Sequence, residues 1–155
     1  MSYDVARLWV MVVDDHDPIR KGIKRVFLQM GIKNSLEFWD GQEAVKQLGT
    51  QPIDFVITDL YMRNITGVEL IERIRSRSIG ADVPILVVTG EATQENIVAA
   101  TDLGADNYLI KPFRADDLTA KIESVLENFF APSQTLELLR RGDRLLLENN
   151  FDDAK

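Results

Sequence analysis

Cysteine is absent from all 155 residues, which removes disulfides, thiolate metal sites and a cysteine nucleophile from consideration. A long hydrophobic run is also missing. No stretch approaches the roughly 18 apolar residues of a membrane span, and the amino terminus, Met1-Ser2-Tyr3-Asp4, lacks the charged and apolar regions of a secretion signal. A cytoplasmic protein is expected. Positive charge is in deficit: 18 Lys and Arg stand against 25 Asp and Glu, a net charge of −7. That argues against a nucleic-acid surface, which is normally basic. The excess acid suits a cation site, although a solvated acidic surface accounts for most of it. No strand is followed by a P-loop or a Gly-x-Gly-x-x-Gly stretch, so nucleotide binding is disfavoured.

What the chain does contain is a regular alternation. Hydrophobic residues make up 45%, enough for one domain with a real core. Short apolar runs at 8–13, 35–38, 53–58, 84–88 and 107–110 read as strands. Between them lie longer segments with apolar residues three and four apart, such as Ile19, Ile23, Val26, Phe27 and Met30, or Leu118, Ile122, Val125, Leu126 and Phe129. The first helix is expected to open with Asp17 as cap and Pro18 at its first position, and to stop at Gly31. Five strand–helix units in succession imply an α/β doubly wound parallel sheet, with right-handed crossovers and helices on both faces. The strands read as nearly continuous apolar runs, as strands covered on both faces should.

Four of the five strands deliver a polar group at the carboxyl end. The first ends at Asp14-Asp15, the third at Asp59, the fourth at Thr89 and the fifth at Lys111-Pro112. In an open parallel sheet those ends share the edge where ligands bind. Carboxylates brought together resist joint ionisation, and a hard divalent cation relieves the repulsion. Magnesium is usually held by one or two carboxylates plus a phosphate. Lys111 would neutralise a phosphoryl oxygen there, as cations do in phosphoryl transfer, and the Thr89 hydroxyl would donate to one. A cis Lys111–Pro112 bond would aim the lysine. The single histidine, His16, follows the acid pair and is read as a polar loop residue rather than a phosphodonor relay.

These residues and spacings resemble the receiver domain of two-component response regulators, the family of the chemotaxis response regulator. The resemblance rests on Val13-Asp14-Asp15, Thr58-Asp59-Leu60-Tyr61-Met62, Gly67, Val88-Thr89-Gly90, Gly104-Ala105-Asp106 and Tyr108-Leu109-Ile110-Lys111-Pro112-Phe113. Thr89 and Lys111 fall 30 and 52 residues after Asp59, as in the family. It implies a flavodoxin-like (βα)5 sheet of order 2-1-3-4-5, with a receiver domain at 5–131. It further implies that Asp59 is the phosphoacceptor, receiving phosphate from a sensor histidine kinase, a histidine phosphotransfer protein or a small phosphodonor. Asp15 and Asp59 would ligate Mg2+ (or Mn2+) directly, with the Tyr61 backbone carbonyl as a third ligand and Asp14 acting partly through water. Thr89 and Lys111 would bind the phosphoryl oxygens, and Tyr108 would be an aromatic switch. The readout would be the face of the fourth helix, fifth strand and fifth helix, residues 90–130, toward a downstream protein or output domain. Such a domain assists its own phosphorylation and dephosphorylation without being an enzyme in the usual sense. Two departures stand out. Arg63 replaces the proline usual after Met62, so the loop 63–67 is expected to be looser or aimed differently. Bulky Tyr61, with Glu91, lies where such domains tune water access, which points to slow hydrolysis.

Residues 132–155 read as a helical extension. Gly142, Leu145, Phe151 and Ala154 match offsets of a tetratricopeptide repeat, whereas Arg141 and Leu138 depart from it. The alternatives there are the start of a helical-repeat region, a linker, or a terminal helix that packs on the receiver or pairs two copies in a homodimer. Two other functions stay open: a scaffold that keeps the fold unphosphorylated, and a Mg2+-dependent phosphohydrolase acting through Asp59. Haloacid-dehalogenase-type enzymes place a second aspartate two residues after the nucleophile; here that residue is Tyr61, which counts against the second.

Overall fold

The computed structural model describes residues 4–78, 80–91 and 93–130. A short 3-10 turn at Val5–Arg7 leads into β1 (Trp9–Val13), followed by α1 (Asp17–Gln29), β2 (Asn34–Phe38), α2 (Gly41–Leu48), β3 (Phe55–Thr58), α3 (Gly67–Arg75), β4 (Ile85–Thr89), α4 (Gln94–Asp102), β5 (Asn107–Ile110) and α5 (Ala115–Phe130). All strand pairs are parallel, and the sheet order is β2-β1-β3-β4-β5. The chain therefore steps outward from β1 to β2, then returns to β3 on the other side. The point of reversal, between the carboxyl ends of β1 and β3, is where such sheets open a crevice.

Alternation along the strands divides the core in two. Met11, Val13, Val56, Ile85 and Val87 pack on one face with Ala44 and Leu48 of α2, Leu70, Ile71 and Ile74 of α3, and Ala100 of α4. On the other face Phe27 of α1 meets Phe55 of β3 edge to face, with ring centroids 6.3 Å apart. Strands β1, β3 and β4 are buried almost throughout. The edge strands are not: every residue of β2 is only half-buried, and Tyr108 and Ile110 of β5 are exposed. Cover on both faces was the expectation for all five. An edge strand lacks a neighbour on its outer flank, so helices centred on the inner strands cover it incompletely.

The start of α1 differs from expectation by one residue. His16 holds the N-cap position and Asp17 is the first helical residue. Asp17 then adds a negative charge to the first turn, where the helix dipole favours it, and pairs with Arg20 (2.6 Å) and Lys21 (2.8 Å). Gly31 ends the helix at φ +90°, a conformation open to glycine. The chain divides into two units, Asp4–Val125 and Met1–Tyr3 with Leu126–Lys155. In the second unit the described residues are 126–130, where Phe129 and Phe130 contact edge to face. The helical extension expected at 132–155 lies outside the described residues. Among those residues, no helix is long and apolar enough to cross a membrane.

Candidate functional site

Backbone hydrogen bonds carry the ladder one step beyond the strands. Asp14 N–H donates to the Phe38 carbonyl (3.0 Å) and Asp59 N–H donates to the Val13 carbonyl (3.0 Å). These bonds set the two acids side by side at the reversal point. From across the sheet, Lys111 N–H donates to the Thr89 carbonyl (2.9 Å), and the Lys111–Pro112 bond is cis, as envisaged. The Lys111 ammonium then reaches both acids, donating to Asp14 Oδ2 (2.7 Å) and Asp59 Oδ2 (2.9 Å). Asp14 is 1% exposed and Asp59 5%, so these are contacts in a low-dielectric pocket rather than a solvated ion pair. The second Asp59 oxygen accepts the Leu60 N–H (2.6 Å).

The remaining expected residues sit at graded distances from this centre. Asp15 joins it: ligand atoms of Asp14, Asp15, His16 and Asp59 all lie within 4.8 Å of one another. Thr89 is buried at the end of β4, its hydroxyl oxygen accepting the Glu91 N–H (3.1 Å). Tyr61 lies two residues after Asp59 in the loop, with its N–H toward Asp59 Oδ1 (3.4 Å) and its side chain exposed. Tyr108 stands apart. It is 40% exposed on the outer side of β5, with the Lys121 ammonium 5.4 Å from its ring centre.

Burial weighs against a charged Lys111, but hydrogen bonds to Asp14 and Asp59, and the charges of both, outweigh it. The ammonium therefore titrates above its ordinary 10.5. A raised folded value means that its contribution to stability is complete below the unfolded value and lost as pH rises through the folded one. The melting-temperature gap between the wild type and Lys111→Met is expected to close as pH rises through that alkaline range. Thermal melts across alkaline pH check this, and a gap that persists there would contradict it.

Three carboxylates face one ammonium, so the site is two charges from neutrality, the amount a divalent cation carries. Asp15 Oδ1 is buried yet has no hydrogen-bond partner; His16 Nδ1 lies 3.1 Å away but off the hydrogen-bonding direction. A buried carboxylate oxygen without a donor is costly, and a cation would satisfy it. An all-oxygen acid set is also what a hard cation prefers. The residues present fit such an ion.

Several contributors were not foreseen from sequence. Arg20 lies under the acid pair, donating to the Asp14 carbonyl (2.6 Å) and to Asp17 (2.6 Å), with Glu37 3.8 Å away on β2. A cation on an amphipathic helix ordinarily reads as solvated, and no local signal marks this one. His16 is not an idle loop residue; its ring turns to Asp14 and Asp15. In the loop after Asp59, where Arg63 replaces proline, Asn64 adopts φ +65° and its amide donates to Asp40 Oδ2 (2.5 Å). Asp40 also caps α2 through the Gln42 N–H (2.8 Å). The turn is thus held by a side-chain tether in place of a ring.

A doubly wound parallel sheet with buried acids and a lysine converging at its reversal point defines a class, the flavodoxin-like domain of receiver type. The chain belongs to the response regulator receiver domain family, whose sequence pattern matches residues 10–123. It is 35% identical over 118 residues to the chemotaxis protein CheY of Pseudomonas aeruginosa, covering 76% of this chain and 95% of that protein. To CheY-3 of Vibrio cholerae it is 33% identical over 118 residues, covering 76% and 91%. Among solved structures, CheY4 of Vibrio cholerae superposes with a TM-score of 0.72 at 29% identity, covering 77% of this chain and 98% of that one. The receiver domain of the Francisella response regulator 1452 gives 0.69 at 27% identity, covering 79% and 98%. The protein is therefore a CheY-like receiver of the two-component signalling type.

Proposed function

We propose that residues 5–131 form a receiver domain that takes a phosphoryl group on Asp59 and thereby switches its surface, with 132–155 as an extension beyond it. The observation that carries this is the Lys111 ammonium, held between Asp14 and Asp59 where a phosphoryl group on Asp59 would need it. Asp15, Asp59 and the Tyr61 carbonyl would hold Mg2+ or Mn2+, with Asp14 acting through water. The ion supplies neutralising charge at the phosphoryl oxygens. In the transfer, a carboxylate oxygen of Asp59 forms a bond to phosphorus as the phosphorus–nitrogen bond of the donor phosphohistidine breaks. The electron pair of that bond goes to the donor imidazole, which takes a proton from solvent. Lys111 then shifts from Asp59 to a phosphoryl oxygen, and the Thr89 hydroxyl donates to another.

Those contacts exist only in the phosphorylated arrangement, so they bias a two-state element. The outward Tyr108 beside Lys121 is the unphosphorylated position; movement of Thr89 toward the phosphate would open space for the ring to turn in. The face of α4, β5 and α5 would carry the signal to a downstream protein, the donor being a histidine kinase or histidine phosphotransfer protein. Tyr61, exposed beside Asp59, would limit water access and slow hydrolysis. Intact-mass measurement after incubation with Mg2+ and acetyl phosphate tests the reading. The expected result is a gain of one phosphoryl group, mapped to Asp59 by borohydride reduction and peptide analysis. No gain from acetyl phosphate or from a phosphorylated phosphotransfer protein would overturn it in favour of the unphosphorylated scaffold.

A further inference from the structure

We propose that His16 is a nitrogen ligand of the acid pocket and tilts its preference from magnesium toward divalent transition ions such as Co2+, Ni2+ and Zn2+. The inference rests on the reading above that Asp15 and Asp59 hold a divalent ion. It adds a donor of different chemistry to that set.

Four observations lead to it. First, His16 occupies the N-cap of α1 but makes no side-chain cap bond. Cap positions favour short oxygen side chains that satisfy the first helical N–H groups, and His16 does not do this. Second, its ring is turned to the acids, with Nδ1 3.0 Å from Asp14 Oδ1 and 3.1 Å from Asp15 Oδ1. Third, the backbone holds the residue in place, because His16 N–H donates to the same Asp14 Oδ1 (2.9 Å). Fourth, a ligand atom of His16 lies within 4.8 Å of those of Asp14, Asp15 and Asp59. The side chain is 63% exposed, so the ring can reorient toward an ion without displacing packed atoms.

The chemical consequence follows from donor type. Magnesium takes oxygen and keeps its waters, so it gains little from an imidazole. Ions later in the first transition series bind neutral imidazole well, and mixed nitrogen and oxygen sites follow the order Mn2+ < Fe2+ < Co2+ < Ni2+. An oxygen-only pocket also ranks these ions in that order. The diagnostic quantity is therefore the change in the Co2+ to Mg2+ affinity ratio when His16 alone is altered.

His16 is the only histidine, so in untagged protein any histidine–metal signal arises from it. The experiment titrates full-length protein with Co2+ and with Mg2+ by calorimetry, comparing wild type, His16→Gln and Asp15→Asn, and records proton NMR of the Co2+ forms. The expected result is a set of strongly shifted imidazole proton resonances in wild type that vanish in His16→Gln. Co2+ affinity should fall about tenfold in that variant, with Mg2+ affinity unchanged within about twofold. Co2+ binding without shifted imidazole resonances, or with the same loss for both ions, would overturn the role of His16 and leave the acid pocket standing. Failure of both ions to bind wild type, or binding untouched by Asp15→Asn, would overturn the metal pocket itself and the inference with it.

Discussion

Asp59→Asn is expected to take up no phosphoryl group from acetyl phosphate, and Lys111→Met to take it up about 10²-fold or more slowly, the usual scale for removing one preorganised electrostatic stabiliser. The two variants fail for different reasons. Asparagine keeps the shape of Asp59 and the Leu60 N–H contact but is not a nucleophile. Methionine keeps the length of Lys111 but leaves Asp14 and Asp59 without their ammonium. Both acids are buried, and breaking a buried pair by removing one partner costs about 3–5 kcal/mol. The pocket mouth is open to solvent at Asp15 and His16, so a lower figure of about 2–4 kcal/mol is expected for Lys111→Met. Added Mg2+ should then raise the melting temperature of Lys111→Met by more than it raises that of the wild type. In the variant the ion takes over the ammonium's part as counter-charge to the two buried acids, and ligand binding stabilises by mass action. Intact-mass time courses and thermal melts with and without Mg2+ measure both effects. Phosphorylation of Lys111→Met at the wild-type rate would remove Lys111 from the transfer step. An equal Mg2+ response in the two proteins would show that the ammonium and the ion do not share the same charges.

The parts of the site that sequence displays are those written into strand ends. An apolar run that stops at an aspartate announces both the strand and the direction of its carboxyl edge, and Asp14, Asp15, Asp59 and Thr89 are found where that pattern puts them. The contact of Lys111 with Asp59 spans 52 positions and depends on β4 lying between β3 and β5. It could be anticipated only because family spacing encodes that topology. Arg20, His16 and Asn64 were illegible for a common reason: each acts through a backbone carbonyl or a carboxylate brought near by tertiary packing. On their own segments they look like a solvated helix cation, a loop residue and a turn residue. The half-exposed edge strands were misjudged because a run such as Asn107-Tyr108-Leu109-Ile110 carries no mark of its place in the sheet; Tyr108 and Ile110 are apolar enough to read as buried and are exposed.

Gly67→Ala is expected to destabilise the protein by about 3 kcal/mol or more, toward the upper end of overpacking costs, and to cost at least an order of magnitude in phosphoryl uptake by the molecules that still fold. The position is not one of unusual dihedral angles; the restriction is space. Gly67 begins α3, and its N–H donates to the Leu60 carbonyl (2.8 Å), drawing the helix start against the carboxyl end of β3. A Cβ built there would lie 2.7 Å from Leu60 Cα and 2.8 Å from the Asp59 carbonyl carbon. Both are backbone atoms, and no rotamer change relieves them. Either α3 retreats or the backbone of Asp59 moves. Retreat pulls against Leu70, Ile71 and Ile74, all fully buried, and against the reciprocal cap formed by Thr66 and Glu69. Movement of Asp59 shifts its carboxylate from the Lys111 ammonium and its carbonyl from the Thr58 hydroxyl, which donates to it at 2.9 Å. The same methyl group therefore strains the core and misplaces the phosphoacceptor. Gly22 is the matching control: it is also helical and has open space where a Cβ would go, so Gly22→Ala should be neutral or stabilising by up to about 1 kcal/mol. Chemical denaturation of the two variants gives the comparison directly. A Gly67→Ala protein as stable as Gly22→Ala would mean that α3 can slide without cost, and the close approach of helix and strand end would no longer be what holds Asp59 in place.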